Sequence, residues 1–332
     1  MGTTNNINNL VTQSILVIGA GVVGRATGLG LISKGKNVIF LDKKNEVVEE
    51  MKKLGYQAFL SYKPFNLPDI AMFCVPTPST FDGSVNLKYL INSLIEYSKF
   101  VKTQKKKYFV IVIRSTIPPT TTENIVIPIL ERYSELKLGS DFGICMQPEF
   151  LRATSSLDDF LNPPMILIGQ FDTKSGKELE LLYDNFQAPV IKVDLSTAEL
   201  VKYINNCFNA LKISFANEMW LFAKKLNIDA NIALQLASIS GEGFLNNKYG
   251  IIGGQPFGGT CLPKDLVGLV EFAKKIGQEL PLLNSVKLVN NNMNKLAKIG
   301  LIPPPSCEKP KNENLTKYLQ KENTSKPEIE IL

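Results

Sequence analysis

The chain has 332 residues, 44% of them apolar, enough for about two domains that each bury a core. Its formal charge of +6 comes from 37 basic and 31 acidic residues spread along the length, too diffuse to argue for a nucleic-acid partner. Histidine is absent, which excludes Ser-His and Cys-His couples and the usual His-bearing zinc sites. Any base must be a carboxylate, an amine or water.

The five cysteines (Cys74, Cys145, Cys207, Cys261, Cys307) have no pair spacing. That usage fits a reducing compartment, so a cytoplasmic protein without disulfides or a metal centre is expected. Residues 1–13 are polar and Asn-rich, lack the cationic and apolar regions of a signal peptide, and are expected to be disordered. No apolar run approaches the ~20 residues of a membrane span. The cluster Lys102 to Lys107 reads as a solvated loop.

Ser14 to Ile18 is a run suited to a strand buried on both faces, and Gly19-Ala20-Gly21-Val22-Val23-Gly24 follows it directly. This G-x-G-x-x-G sits between a strand and a helix, where its glycines allow a tight turn, close approach of a pyrophosphate, and close packing of helix on strand. A second strand from Asn37 ends in Asp42, placed to accept hydrogen bonds from the ribose hydroxyls of NAD. Further units continue the pattern: Asp69 to Val75, a helix from about Leu87, Tyr108 to Arg114, Gly143 to Gln147, Met165 to Ile168, a helix from Lys174, and Pro189 to Val193. Alternation of this kind predicts a doubly wound parallel sheet of Rossmann type over 14–195, with ligands beyond the carboxyl ends of its strands. Thr77, Ser115 and Thr116 follow such ends and are expected to face the cofactor crevice. Turn capping is the competing reading of each. Glu149 is a carboxylate at another strand end, or else a surface acid near Arg152.

From Ser196 the chain becomes helical. Ser196-Thr197-Ala198-Glu199 reads as a capping box, and Leu200, Ile204, Phe208, Leu211, Phe215, Met219 and Phe222 keep helical spacing for about thirty residues. Lys202 and Asn206 share one face of this helix, where a cation and an amide can bind a developing oxyanion. A shorter helix over about 229–237 leads to a glycine-rich loop, expected to cover substrate, which delivers the chain to Gly258-Gly259-Thr260-Cys261-Leu262-Pro263-Lys264-Asp265. Here a thiol, an ammonium and a carboxylate lie within five residues, at the expected start of a helix from Pro263 to Ile276. A thiol reacts as the thiolate, which a nearby Lys or a helix start favours. A buried structural Cys is the alternative. A last helix runs from Pro281 to about Ile299, and 301–332 form a polar tail expected to be disordered. The helical domain is thus assigned to 196–300.

Taken in order, the glycine turn, Cys74-Val75-Pro76-Thr77-Pro78, Ser115-Thr116-Ile117-Pro118, Pro148-Glu149-Phe150-Leu151, Glu199 through Asn206, and Phe257 through Asp265 resemble the nucleotide-sugar dehydrogenase family. These are the UDP-glucose and GDP-mannose 6-dehydrogenases, and the similarity covers about Ile15 to Ile299. The resemblance implies a four-electron oxidation of a sugar C6 alcohol to a carboxylate with two NAD, UDP-glucose being the favoured substrate. It implies a thiohemiacetal and then a thioester on Cys261, oxyanion stabilisation by Lys202 and Asn206, and handling of water and protons by Asp265, Thr116 and Glu149. Cofactor contacts are implied for Gly19, Gly21, Val22, Val23, Gly24, Asp42, Val75, Pro76, Thr77, Ser115 and Lys264. Substrate contacts are implied for Phe150, Leu151, Tyr249, Phe257 and Gly258.

Two departures from the family pattern stand out. Ala153 occupies a usually acidic position, and a polar tail is expected where the family carries the C-terminal domain that binds much of the nucleotide. The helix over 196–226 is expected to form a homodimer seam. Two other readings stay open: a two-electron hydroxyacid or sugar-acid dehydrogenase, and a silent NAD-binding partner of another chain.

Overall fold

A computed structural model of the chain describes residues 13–63, 66–105, 107–225, 227–240, 253–277 and 279–305. The chain divides into two compact units, Met1–Asn205 and Asn206–Leu332. The division falls inside the long helix, some residues beyond the change in sequence character at Ser196. The two terminal stretches expected to be disordered lie largely outside the described residues, as do Tyr249 and most of the glycine-rich loop.

The first unit is built on an eight-stranded sheet. Its strands are β1 (Ser14–Ile18), β2 (Asn37–Leu41), β3 (Ala58–Phe59), β4 (Ile70–Phe73), β5 (Phe109–Ile113), β6 (Phe142–Met146), β7 (Ile166–Gln170) and β8 (Val190–Val193). They lie in the order β3-β2-β1-β4-β5-β6-β7-β8. Helices α1 (Val22–Ser33), α2 (Asn45–Lys53), α3 (Lys88–Lys102), α4 (Ile127–Ser134), α5 (Ser156–Leu161) and α6 (Thr173–Glu180) connect them. Alternate residues of one strand feed two separate cores: Ile15 and Val17 join one, Leu16 and Ile18 the other. Burial on both faces is why these strands read as unbroken apolar runs.

The expected doubly wound parallel sheet contains one antiparallel pairing. β7 pairs antiparallel with β6, through Cys145 opposite Gln170 and Met146 opposite Gly169, and β8 then runs parallel to β7. The β6–β7 connection carries the short helix α5, and β7 returns along β6.

The long helix α7 spans Leu195–Lys225. Its cap is Asp194 and not the Ser196 box: the Asp194 carboxylate accepts the Thr197 N–H at 2.8 Å and the Thr197 hydroxyl at 2.6 Å. Glu199 does not reach back to a cap. It is fully buried and accepts both the N–H and the hydroxyl of Thr122, at 2.8 and 2.6 Å. Thr122 opens a single π turn (Thr122–Val126) that leads into α4, just after Thr120, whose φ of 71° is left-handed and strained for a β-branched residue.

In the second unit α8 (Ala230–Ser240), α9 (Leu262–Lys275) and α10 (Pro281–Lys298) follow. Leu266 and Val270 of α9 and Val286 of α10 form a core with Cys207, Ala210 and Phe257.

Candidate active site

The glycine turn has the geometry that a dinucleotide requires. Gly19 has φ +92°, a conformation that L side chains rarely adopt. A Cβ on Gly24 would lie 1.8 Å from the Gly19 carbonyl oxygen, so this glycine is what lets α1 sit against the turn. A Cβ on Gly21 would meet nothing within 4 Å, leaving open space at the N-terminus of α1, where the helix dipole and free N–H groups favour a phosphate. Asp42 follows β2 and accepts the Ala20 N–H at 2.8 Å and the Lys44 N–H at 2.9 Å, which fixes a carboxylate beside the turn. The residues present therefore fit a dinucleotide. Val22 is exposed and Val23 half-buried at the same helix start.

Thr77, Ser115 and Thr116 stitch two strand ends together. The Ser115 hydroxyl donates to the Val75 carbonyl at 2.7 Å, and the Thr77 hydroxyl donates to the Thr116 carbonyl at 2.7 Å. These hydroxyls shape the turns after β4 and β5, as the capping reading anticipates. Thr116 itself is half-buried and Pro76 exposed.

Glu149 is no surface acid. It follows β6 with 5% exposure and pairs with Lys202 of α7, itself 3% exposed, at 2.9 Å. Arg152 bonds Asp159 instead. The second Glu149 oxygen accepts the Leu151 N–H at 2.7 Å, and the Lys202 ammonium lies 5.8 Å from the centre of the Phe150 ring. Burial pushes the Glu149 carboxyl upward, but the charge and hydrogen bond of Lys202, the Leu151 amide and the charge of Arg114 prevail and hold it below the usual carboxylate range. Arg114 was missed from sequence. It is 5% exposed, donates to Gln147 at 2.6 Å, and lies at a strand end where its positive charge reaches the Glu149 region. Ala153 stands exposed in a turn.

In the second unit Cys261 occupies the N-cap position of α9, with Pro263 in the first turn. Asp265, completely buried, donates its N–H to the Cys261 carbonyl at 2.8 Å. Its carboxylate takes the Asn206 amide on one oxygen and the Lys264 ammonium on the other. Cys261 is exposed, with its sulfur 3.7 Å from the Thr260 hydroxyl, whereas Cys74, Cys145 and Cys207 are buried. Burial pushes each of those three thiols up to about 12, so they stay protonated at neutral pH. Among the described cysteines the accessible thiol is the one at a helix start, in the same first turn as Lys264 and Asp265. Phe257 is buried and Gly258 half-buried just upstream.

The order of motifs along the chain finds its counterpart in known proteins. Residues 56–187 match the NAD-binding domain of the UDP-glucose/GDP-mannose dehydrogenase family, and residues 196–292 match its central domain. A solved UDP-glucose dehydrogenase from Pyrobaculum islandicum superposes with a TM-score of 0.80 at 30% identity, covering 87% of this chain and 70% of that one. The chain belongs to the UDP-glucose/GDP-mannose dehydrogenase family. It is 37% identical over 277 residues to the GDP-mannose 6-dehydrogenase of Pseudomonas savastanoi pv. phaseolicola, covering 82% of this chain and 62% of the relative. It is 32% identical over 304 residues to a UDP-glucose 6-dehydrogenase of Bacillus subtilis, covering 84% and 66%. The chain thus spans 62% of the length of the Pseudomonas relative.

Two absences hold among the described residues of this family member. No group of three His, Cys, Asp or Glu side chains could hold a metal, and no helix is long and apolar enough to cross a membrane.

Proposed function

We propose that this protein oxidises C6 of a nucleotide-linked hexose from alcohol to carboxylate, with Cys261 carrying the sugar between two oxidations. The observation that carries the reading is the exposed Cys261 thiol at the start of α9, one turn before Asp265, in a chain whose other described thiols are buried. NAD, held by the glycine turn from Gly19 to Gly24 and by Asp42, supplies the hydride acceptor.

The chain's own groups perform the remaining chemistry. The first oxidation turns the C6 alcohol into an aldehyde with loss of a proton and a hydride. The Cys261 sulfur then adds to the aldehyde carbon, forming a C–S bond and a thiohemiacetal. Loss of a second hydride and of the hydroxyl proton leaves a thioester, and water adds to its carbonyl carbon and breaks the C–S bond, giving the carboxylate, a proton and the free thiol. Covalent retention keeps the reactive aldehyde from escaping between the two steps. Lys202, paired with Glu149, and the Asn206 amide stabilise the alkoxide and the tetrahedral oxyanions. Asp265 and Thr116 hold or take up the proton of the attacking water, with Glu149 of the first unit as a further carboxylate.

The substrate is a UDP- or GDP-hexose. UDP-glucose is favoured by the motif pattern and the Pyrobaculum fold match, GDP-mannose by the higher identity of the Pseudomonas relative. NADH yield should be measured with UDP-glucose, GDP-mannose and their N-acetyl analogues. Two NADH per sugar nucleotide are expected with one of them. One NADH per substrate would favour a two-electron dehydrogenase, and turnover only on mixing with a separate nucleotide-binding chain would favour a NAD-binding partner protein.

A homodimer through α7 belongs to the same proposal. The large apolar side chains Leu200, Ile204, Phe208, Phe215 and Met219 are exposed, while the helix buries Ala198, Tyr203, Cys207 and Ala210. A second copy of the same stripe would cover it. Light scattering should give twice the chain mass, falling to one chain in Ile204→Asp.

A further inference from the structure

Among the described residues the stretch leading to Cys261 belongs to no strand, yet Gln255 and Phe257 have both backbone groups bonded. Asn217 of α7, 0% exposed, accepts the Gln255 N–H at 3.0 Å and donates its amide to the Gln255 carbonyl at 2.6 Å. Asn290 of α10, 5% exposed, accepts the Phe257 N–H at 2.9 Å and donates to the Phe257 carbonyl at 3.0 Å. Pro256 lies between them and has no N–H to satisfy. A primary amide places one acceptor and one donor side by side in a plane, so each Asn imitates the edge of a neighbouring strand for one residue. Gly253 and Gly254 let the same stretch lie flush on α7: a Cβ on Gly253 would be 2.4 Å from the Trp220 Cβ and 2.7 Å from the Ala216 carbonyl oxygen. Only Gly258, Gly259 and Thr260 separate the second clamped residue from Cys261, and Gly259 has φ +75°.

We propose that Asn217 and Asn290 are positioning residues for the nucleophile: by gripping Gln255 and Phe257 they fix where the glycine pair begins, and so where the Cys261 thiol stands when the aldehyde forms. The assignment rests on Cys261 as the covalent carrier. Its requirement is specific to the side-chain amide. An Asp at either position keeps the size and the acceptor but turns a carboxylate oxygen toward a carbonyl oxygen, and a Ser removes the paired geometry while leaving a polar group. A thiol displaced by such a change traps the aldehyde less efficiently, although the oxidation that makes the aldehyde does not use the thiol.

The test compares wild type, Asn290→Asp, Asn290→Ser, Asn217→Asp, Asn217→Ser and Cys261→Ser with NAD and either UDP-glucose or GDP-mannose. The ratio of released aldehyde, captured as a semicarbazone, to acid is the readout. Site-resolved alkylation of Cys207 reports whether the surrounding core stays closed. A rise of about ten-fold in the ratio, with Cys207 still protected, is expected for the Asn variants, the size that a small misplacement of a reacting group produces. Cys261→Ser sets the upper limit. A wild-type ratio in folded variants overturns the proposal, and so does alkylation of Cys207 in all four, since the pair would then hold the domain core and not the thiol. If wild type forms no NADH, or if Cys261→Ser gives the wild-type ratio, it is the reading of Cys261 that fails, and the positioning role falls with it.

Discussion

The carboxylate of Glu149 and the ammonium of Lys202 stand 2.9 Å apart with 5% and 3% of their side chains exposed, so each charge is kept in the protein by the other. Breaking a buried pair leaves one charge without compensation, at a cost of about 3–5 kcal/mol. Glu149→Gln and Lys202→Met are each expected to lower unfolding free energy by that order in urea titrations, and the double variant by less than the sum. Because the Glu149 pKa is depressed in the folded state, the pair's contribution is present above the ordinary carboxylate range and is lost as pH falls through it. Additive effects at neutral pH would contradict the pairing.

Gly21 and Gly24 separate binding from folding within one motif. A methyl on Gly24 would collide with backbone at 1.8 Å, whereas one on Gly21 meets only open space. Gly24→Ala is expected to destabilise the first unit by several kcal/mol, on the order of 3 or more, because backbone cannot move aside as a side chain can. Gly21→Ala should melt within about 2 °C of wild type yet bind NAD at least ~10-fold more weakly in calorimetric titration, since its methyl occupies the space of the pyrophosphate. Unchanged NAD affinity in Gly21→Ala would place the dinucleotide elsewhere.

Glu199 gives stability a second pH dependence, of opposite sign. Burial pushes its carboxyl up to about 7 against the hydrogen bonds from Thr122, and Glu123 adds to the rise. The folded state therefore holds this proton more tightly than the unfolded chain. The stabilisation is complete below the ordinary Glu value and is lost as pH rises to about 7 and beyond. The swing amounts to roughly 3 kcal/mol. Glu199→Gln keeps the acceptor for Thr122 and cannot ionise, so relative to wild type it should gain stability between pH 5 and pH 8 in urea unfolding. A constant difference across that range would contradict the assignment.

These two carboxylates also show what could be read in the sequence. The strand, glycine turn, helix and terminal Asp42 were legible because each constraint acts within a few residues. Glu199 was not: a Ser-x-x-Glu spacing marks a capping box, but Asp194 took the cap and Glu199 turned to Thr122, 77 positions away. The apolar stripe from Leu200 gave the correct helix, while the face that the helix buries lies beside that stripe, with Lys202, Tyr203, Cys207 and Ala210 inward. The reversal of β7 carries no local signal, since a buried strand reads alike in either direction. Asn217 and Asn290 were invisible for a related reason. An Asn on a helix looks like a solvated residue until the backbone that it grips is in place.

Cys261 decides the reading as a whole. Rapid quenching of the enzyme during turnover with NAD and UDP-glucose or GDP-mannose, followed by mass analysis of the peptide bearing Cys261, should detect a thioester adduct with the mass of the oxidised sugar nucleotide. Cys261→Ser should carry no adduct and release aldehyde instead of acid. Acid formed at the wild-type rate by Cys261→Ser, with no adduct on the wild-type peptide, would contradict covalent catalysis by this thiol.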